Sequence, residues 1–361
     1  MILINLLKFT KLWYDKPMIE VKKLGVILEP TSQDFESISV FNPGVWQEGE
    51  KIYLFYRTMD GKGKSSIGYA RFKGPTTLVE RWKKPIIERE YDYERRGVED
   101  PRIVKINDTF YLFYIAHDGK DALVCYATSK DLKTFKKMGI ISPQITYDRA
   151  EKILRGTGLK DSYSFHAALY EKLGGKDILF WAKDTFLFPR KISGKFFLIT
   201  RVLPDIQIIS FNEFRELTTE FWENFFQNLP QHVVLENKYW FESRHIGGGS
   251  PPIETKEGWL FIYHGVEARN VGRVYHTGAA LLDKENPLKV IGRLREPLFS
   301  PTEKWEKSGF VPDVVFATGT AIFGKTLYIY YGAADQRVAV AAVNIKKLLR
   351  ELKKSPVKPT H

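Results

Sequence analysis

One cysteine, Cys125, and four methionines are all the sulfur in 361 residues. A lone thiol forms no intrachain disulfide, so the chain is no disulfide scaffold, and it suits a reducing, cytoplasmic setting. No apolar run approaches the ~18 to 20 residues that a spanning helix needs, which argues against a membrane protein. Residues 1–7 are apolar but short, and they lack the basic lead and small-residue cleavage site of a signal peptide. Met18 offers an alternative start to Met1. Histidine and cysteine show no metal-ligand spacing, and no His-Glu-x-x-His occurs. Phosphate-cradling Gly-rich loops and Gly-x-Ser-x-Gly elbows are also missing. Gly247-Gly248-Gly249 runs into Ser250-Pro251-Pro252 and reads as a turn.

What is present is 43% hydrophobic content, which excludes disorder, and a net charge of +12 beside 25 Phe, 18 Tyr and 8 Trp. Basic plus aromatic fits a nucleic-acid binder, whose cations meet phosphates and whose rings stack on bases. It fits equally a sugar-handling enzyme with an anionic co-substrate, or a solvated Lys-rich surface over an aromatic core. The basic residues are spread along the chain in short runs such as Lys346-Lys347, which weakens the nucleic-acid reading.

Five segments repeat one pattern: a polar turn, an aromatic-rich strand, then a second strand ending in small residues. Their turns lie at Gly49-Glu50, Asn107-Asp108, Ser193-Gly194, Glu257-Gly258 and Gly324-Lys325, roughly 60 to 85 residues apart. β-Branched and aromatic residues bounded by Gly, Asn and Asp predict antiparallel hairpins. Five similar sheets fit a five-bladed β-propeller better than a sandwich, and the missing βαβ alternation excludes a parallel α/β sheet. Aromatics at three- and four-residue spacing predict a helical insertion over 211–228, and Asn344 opens a C-terminal helix over 344–354. The chain reads as one all-β domain over 1–361, with an N-terminal extension at 1–30 and a helix and tail at 344–361.

The sharpest string is Gly97-Val98-Glu99-Asp100-Pro101-Arg102-Ile103. Adjacent carboxylates raise each other's cost of ionising, so one is expected to keep a proton at neutral pH, as a general acid needs. The bland alternative is a surface turn with an Asp-Arg pair. Arg57, Arg201, His264 and Asp335 stand at matching points of other units, with Lys183-Asp184 ahead of Phe188-Pro189. Polar residues on apolar strands are costly to bury without partners. A propeller would bring them all to one funnel.

Together these strings resemble the mannoside phosphorylases of glycoside hydrolase family 130. The resemblance rests on Asn42-Pro43-Gly44-Val45, the 97–103 string, Lys183-Asp184 with Phe188-Pro189, and Gly247 through Ile253. It continues through Gly258 to Val266, Gly278 to Asp283, Val314 to Gly319 and Tyr330 to Asp335, over about residues 40 to 345. It implies a five-bladed propeller, a cytoplasmic homo-oligomer, and inverting attack of phosphate on a β-1,2- or β-1,4-mannoside to release α-mannose 1-phosphate. Asp100 would be the proton donor, acting through the sugar 3-hydroxyl. Lys183, Arg201 and His264 would hold phosphate, and Asn42, Arg57 and Asp335 the mannose hydroxyls. Inorganic phosphate would be the co-substrate, with no cofactor, metal, nucleic acid or membrane involved. A hydrolase would instead need a second carboxylate to activate water, and a propeller used only for binding would need none of these residues. Val202 replaces a common proline, and the string Ser65-Ser66-Ile67-Gly68 lacks a common arginine. The stretches 145–182 and 211–245 match weakly and are expected to shape the outer subsites.

Overall fold

The computed structural model describes residues 19–357, so the choice between Met1 and Met18 lies outside the described residues. Each of the five repeated segments forms the two middle strands of a four-stranded antiparallel unit. The hairpins are Lys51–Met59 with Ser65–Lys73, Thr109–His117 with Ala122–Ser129, and Phe196–Val202 with Asp205–Phe211. Trp259–Ala268 with Arg273–Leu282, and Thr326–Ala333 with Arg337–Asn344, complete the set. Ahead of each hairpin runs a first strand: Ser39–Glu48, Gly97–Ile106, Phe186–Leu187, His245–Gly248 and Val315–Phe323. Thr77–Arg81, Lys136–Ile140, Val233–Leu235 and Val290–Arg293 close four units on the outside.

The fifth unit has no outer strand after its hairpin. Its place is taken by Val21–Leu28, which pairs antiparallel with Arg337–Asn344. The segment expected to be an N-terminal extension therefore supplies a strand, and the first and last strands of the described residues pair in one sheet. The first two units share a sheet through one parallel pairing, Ser65 with Gly97, and the fourth carries an extra strand, Ile253–Glu254.

A buried device recurs in four units. A glutamate on a short helical turn before the first strand accepts a hydrogen bond from a tyrosine of the second strand. The pairs are Tyr56 to Glu36 (2.9 Å), Tyr114 to Glu94 (2.8 Å), Tyr263 to Glu242 (2.7 Å) and Tyr331 to Glu306 (2.7 Å). The outer strand returns a cation to each: Arg81, Lys137, Arg293 and, from the N-terminal strand, Lys23. A buried carboxylate is tolerable only when paired and hydrogen-bonded in this way. Opposite each tyrosine the third strand carries a small residue: Gly68, Cys125, Gly278 or Ala339. A Cβ at Gly278 would come within 2.3 Å of the Tyr263 ring. The single cysteine thus fills a packing position, and burial pushes its thiol up.

Helices cluster on the third unit. The predicted insertion contains Thr219–Gln227, capped by Thr218 and burying Trp222, Phe225 and Phe226. Burial on this scale contributes roughly 1.5 to 3 kcal/mol per large side chain. Two helices that the sequence reading lacks, Tyr147–Leu154 and Ser162–Gly174, occupy the stretch 145–182. The second is tied to the sheet by Asp205, which accepts from Tyr163 at 2.6 Å and from Lys160 at 2.9 Å. At the C-terminus Ile345–Lys354 is helical, with Asn344 accepting from the Lys347 amide. No described helix is long and apolar enough to cross a membrane.

Candidate active site

The first strands of the first two units break register between Phe41 and Gly44 and between Glu99 and Arg102. The residues inserted there, Asn42 and Asp100, each precede a proline and take positive φ, 48° and 51°. Asp184 (φ 56°) lies just before the first strand of the third unit, and Asp335 (φ 49°) just after the second strand of the fifth. Asn and Asp enter the left-handed region more readily than other side-chain-bearing residues, yet each such residue still costs free energy. Four of them converge on one cavity of about 280 Å³.

Six of the seven residues singled out in the sequence line that cavity: Asn42, Arg57, Asp100, Lys183, Arg201 and Asp335. Asn42 Nδ2 donates to Asp100 Oδ1 at 2.8 Å, and Arg57 Nη1 approaches the same oxygen at 3.5 Å. Arg57 Nη2 donates to Glu99 at 2.7 Å, and its Nε to Ser65 Oγ at 3.0 Å. Burial alone would raise the Asp100 carboxyl, but Arg57, Arg102, the Asn42 hydrogen bond and Lys183 together hold it below the usual carboxylate range. Asp100 is thus not the carboxyl of this string that keeps a proton, because the Arg57 guanidinium lies against it while also pairing with Glu99. The carboxyl that does rise is Asp335, to about 6, through burial opposed by Arg57 and reinforced by Asp100.

Across the cavity the cations gather around Asp184. Arg201 Nη1 donates to Asp184 Oδ2 at 2.5 Å, and Arg102 Nη2 lies 3.9 Å from Oδ1. Arg102 is itself buried, donating to Gly249 O at 2.6 Å and Asp100 O at 3.0 Å between the rings of Phe186 and Phe316. Arg201 Nε and His245 Nδ1 are buried without a protein partner. Buried polar atoms left open in this way call for a ligand or water as partner. Lys183 Nζ sits 4.8 Å over the Trp181 ring.

His264 departs from expectation. Its ring is fully buried, does not line the cavity, and packs 4.6 Å from Phe316 with Nε2 3.8 Å from Asp184 Oδ2. Burial outweighs Asp184 and pushes it down to about 4, so the ring is neutral. Gly247 is not in a turn but in the strand His245–Gly248. A Cβ at Gly247 would lie 2.4 Å from both Asp184 Oδ2 and His264 Cε1, so only glycine fits that floor.

Sequence reasoning missed His245, Arg244, Arg273, Tyr275 and Phe316, and the wall from the unforeseen helix, His166 and Tyr170. His245 stands two residues before the glycine string and could have been found there. Among the described residues no group of three or more His, Cys, Asp or Glu is arranged to hold a metal ion. The cavity therefore offers an ionised carboxylate held by Asn42 and Arg57 on one side, and open cationic donors on the other.

A family model described as β-1,4-mannooligosaccharide phosphorylase matches residues 28–354. The 1,2-β-oligomannan phosphorylase of Thermoanaerobacter sp. (strain X514) is 33% identical over 344 residues, covering 92% of this chain and 99% of that protein. The β-1,2-mannobiose phosphorylase of the same organism is 34% identical over 339 residues, covering 89% and 96%. Among solved structures, the β-1,2-mannobiose complex of the Listeria innocua β-1,2-mannobiose phosphorylase superposes with a TM-score of 0.70. At 24% identity, covering 93% of this chain and 100% of that one, it shows a shared fold. With the family model spanning nearly the whole described chain, the protein is an enzyme and belongs to glycoside hydrolase family 130.

Proposed function

We propose that the enzyme performs inverting phosphorolysis of a β-mannoside, releasing α-mannose 1-phosphate, with the five sheet units as blades of one propeller. The observation that carries this reading is the pairing of Asp100 with open cationic donors, Arg201 above all, in a single cavity. Cations hold an anionic nucleophile through charge-assisted hydrogen bonds; an inverting hydrolase uses a second carboxylate to activate water, and of the two others in the cavity Asp184 is ion-paired with Arg201 while Asp335 serves the sugar. Both near-full-length relatives carry β-1,2 names, so β-1,2-mannobiose is the first substrate to try.

In the forward step a phosphate oxygen forms a bond to the anomeric carbon as the bond to the bridging oxygen breaks. Asp100 supplies the proton for the departing oxygen through the sugar 3-hydroxyl. Asn42, Arg57 and Asp335 serve the mannose hydroxyls, Asp335 as an acceptor or, when protonated, a donor. Lys183 and Arg201 contact phosphate, and His245, which lines the cavity where His264 does not, takes the third position. No cofactor takes part. In the reverse, synthetic direction the proton of the acceptor hydroxyl returns to Asp100 by way of the same 3-hydroxyl. The test is product analysis with and without phosphate; mannose 1-phosphate formed only in its presence supports the reading, and phosphate-independent release of mannose refutes it.

A further inference from the structure

Asp184 has no counterpart among the proton donor, the sugar contacts or the phosphate contacts, yet much of the site is built around it. It is buried, adopts φ 56°, and is approached by Arg201, Arg102 and His264. Gly247 gives up its side chain where Asp184 and His264 pass. We propose that Asp184 is a positioning residue for phosphate: by holding Nη1 of Arg201 it fixes the guanidinium so that the remaining donors are available to the anion. The Arg201 guanidinium makes no other hydrogen bond among the described residues, and its Nε is buried without a partner. A guanidinium offers five donors in a rigid fork, so fixing one corner orients all the others. Arg102 Nη2 lies 3.9 Å from the other carboxylate oxygen, without a hydrogen bond to it, and Arg102 Nη1 donates to the backbone carbonyl of Asp100, so the strand of the proton donor also borders the anion end of the cavity.

Electrostatics alone points the other way, because a carboxylate near the anion repels it. The two effects therefore predict opposite signs for the same substitution. The inference rests on the phosphorolysis reading, so the phosphate requirement of the wild-type enzyme is measured first. In Asp184→Asn, checked for folding by circular dichroism, the KM for phosphate should rise about ten-fold or more, the range of a lost charge-assisted bond. The KM for the mannoside should stay within about two-fold, since charge-assisted contacts to the sugar are untouched. In an Arg201→Ala background Asp184→Asn should add little, because the two act as a unit. An unchanged or lowered phosphate KM in the folded variant overturns the proposal, and so does an additive effect in the double variant. If the wild type turns over without phosphate, the phosphorolysis reading fails, and the rise in Tm on adding inorganic phosphate then reads Asp184 on its own. That rise should be smaller in Asp184→Asn, and an equal or larger rise overturns the proposal. If Asp184→Asn does not fold, Asp184→Ser is read by the same criteria.

Discussion

Replacing Asp335 with asparagine should stabilise the enzyme at neutral pH while impairing it. The Asp335 carboxyl is raised from 3.8 to about 6 by burial, with Asp100 adding to the rise and Arg57 and Arg273 opposing it. A carboxyl raised in the folded state binds its proton more tightly folded than unfolded. Its contribution is therefore most favourable below pH ~4, and the stability it confers falls as pH rises from about 4 to about 6. At about 1.4 kcal/mol per unit, the shift of roughly two units puts a penalty of about 2 to 3 kcal/mol on the wild type above pH 6. Asparagine keeps the shape and does not titrate. Urea unfolding of both proteins at pH 4, 5, 6 and 7 cancels every other titration in the difference. That difference should grow in favour of Asp335→Asn by about 2 kcal/mol across the window, while kcat/KM for the mannoside falls. A difference that is flat with pH, or that grows in favour of the wild type, refutes the burial argument.

Asp100→Asn should retain the fold and lose about 10² to 10⁴ in kcat, the usual range for a general acid; a variant within about ten-fold of wild type in kcat would remove Asp100 from the proton path. Since Arg57, Arg102, Asn42 and Lys183 overcome burial to keep Asp100 low, phosphorolysis should peak at a lower pH than synthesis from mannose 1-phosphate, and coincident pH–rate profiles would speak against a single group serving both directions. Gly247→Ala would drive a methyl to within 2.4 Å of Asp184 and His264. Overpacking of that kind costs about 1 to 3 kcal/mol, and it should show both as a lowered Tm and as a raised KM for phosphate. Glu242→Ala leaves Arg293 buried beside Tyr263 without its carboxylate, so chemical unfolding should report a loss of about 3 to 5 kcal/mol; the exposed pair Lys152–Asp148 should be worth far less than that in the same assay.

The five aromatic hairpins were readable because strand periodicity and turn chemistry are local properties. Arg57 and Asp335 were readable because a polar residue on or just after an apolar strand stands out against its neighbours, and Asp100 because its string sets two carboxylates beside a proline and an arginine; Asn42 came only with the family resemblance. Other features depend on contacts that no local pattern carries. Glu306 looks like a surface residue of a short charged turn, and its burial depends on Lys23, 283 positions away. The string Gly247-Gly248-Gly249 looks like a turn because glycine usually marks one; here Gly247 and Gly248 make room for the side chains of Asp184, His264 and Phe186, and Gly249 for the backbone carbonyls of Ile262 and Ala317. Whether His264 faces the cavity or lies beneath it depends on how the strands converge, which alternation along one strand does not reveal. The helix Ser162–Gly174 escaped notice because only Tyr163 and Ala167 are buried on it, too few to print a stripe. Its His166 and Tyr170 reach the cavity wall nonetheless.

The most direct test of the central claim is a product balance on the purified enzyme with β-1,2-mannobiose, followed by phosphorus and proton NMR. With inorganic phosphate present, the account predicts one α-mannose 1-phosphate and one mannose for each disaccharide consumed, and no consumption when phosphate is withheld. Steady release of two mannoses per disaccharide in phosphate-free buffer would contradict it.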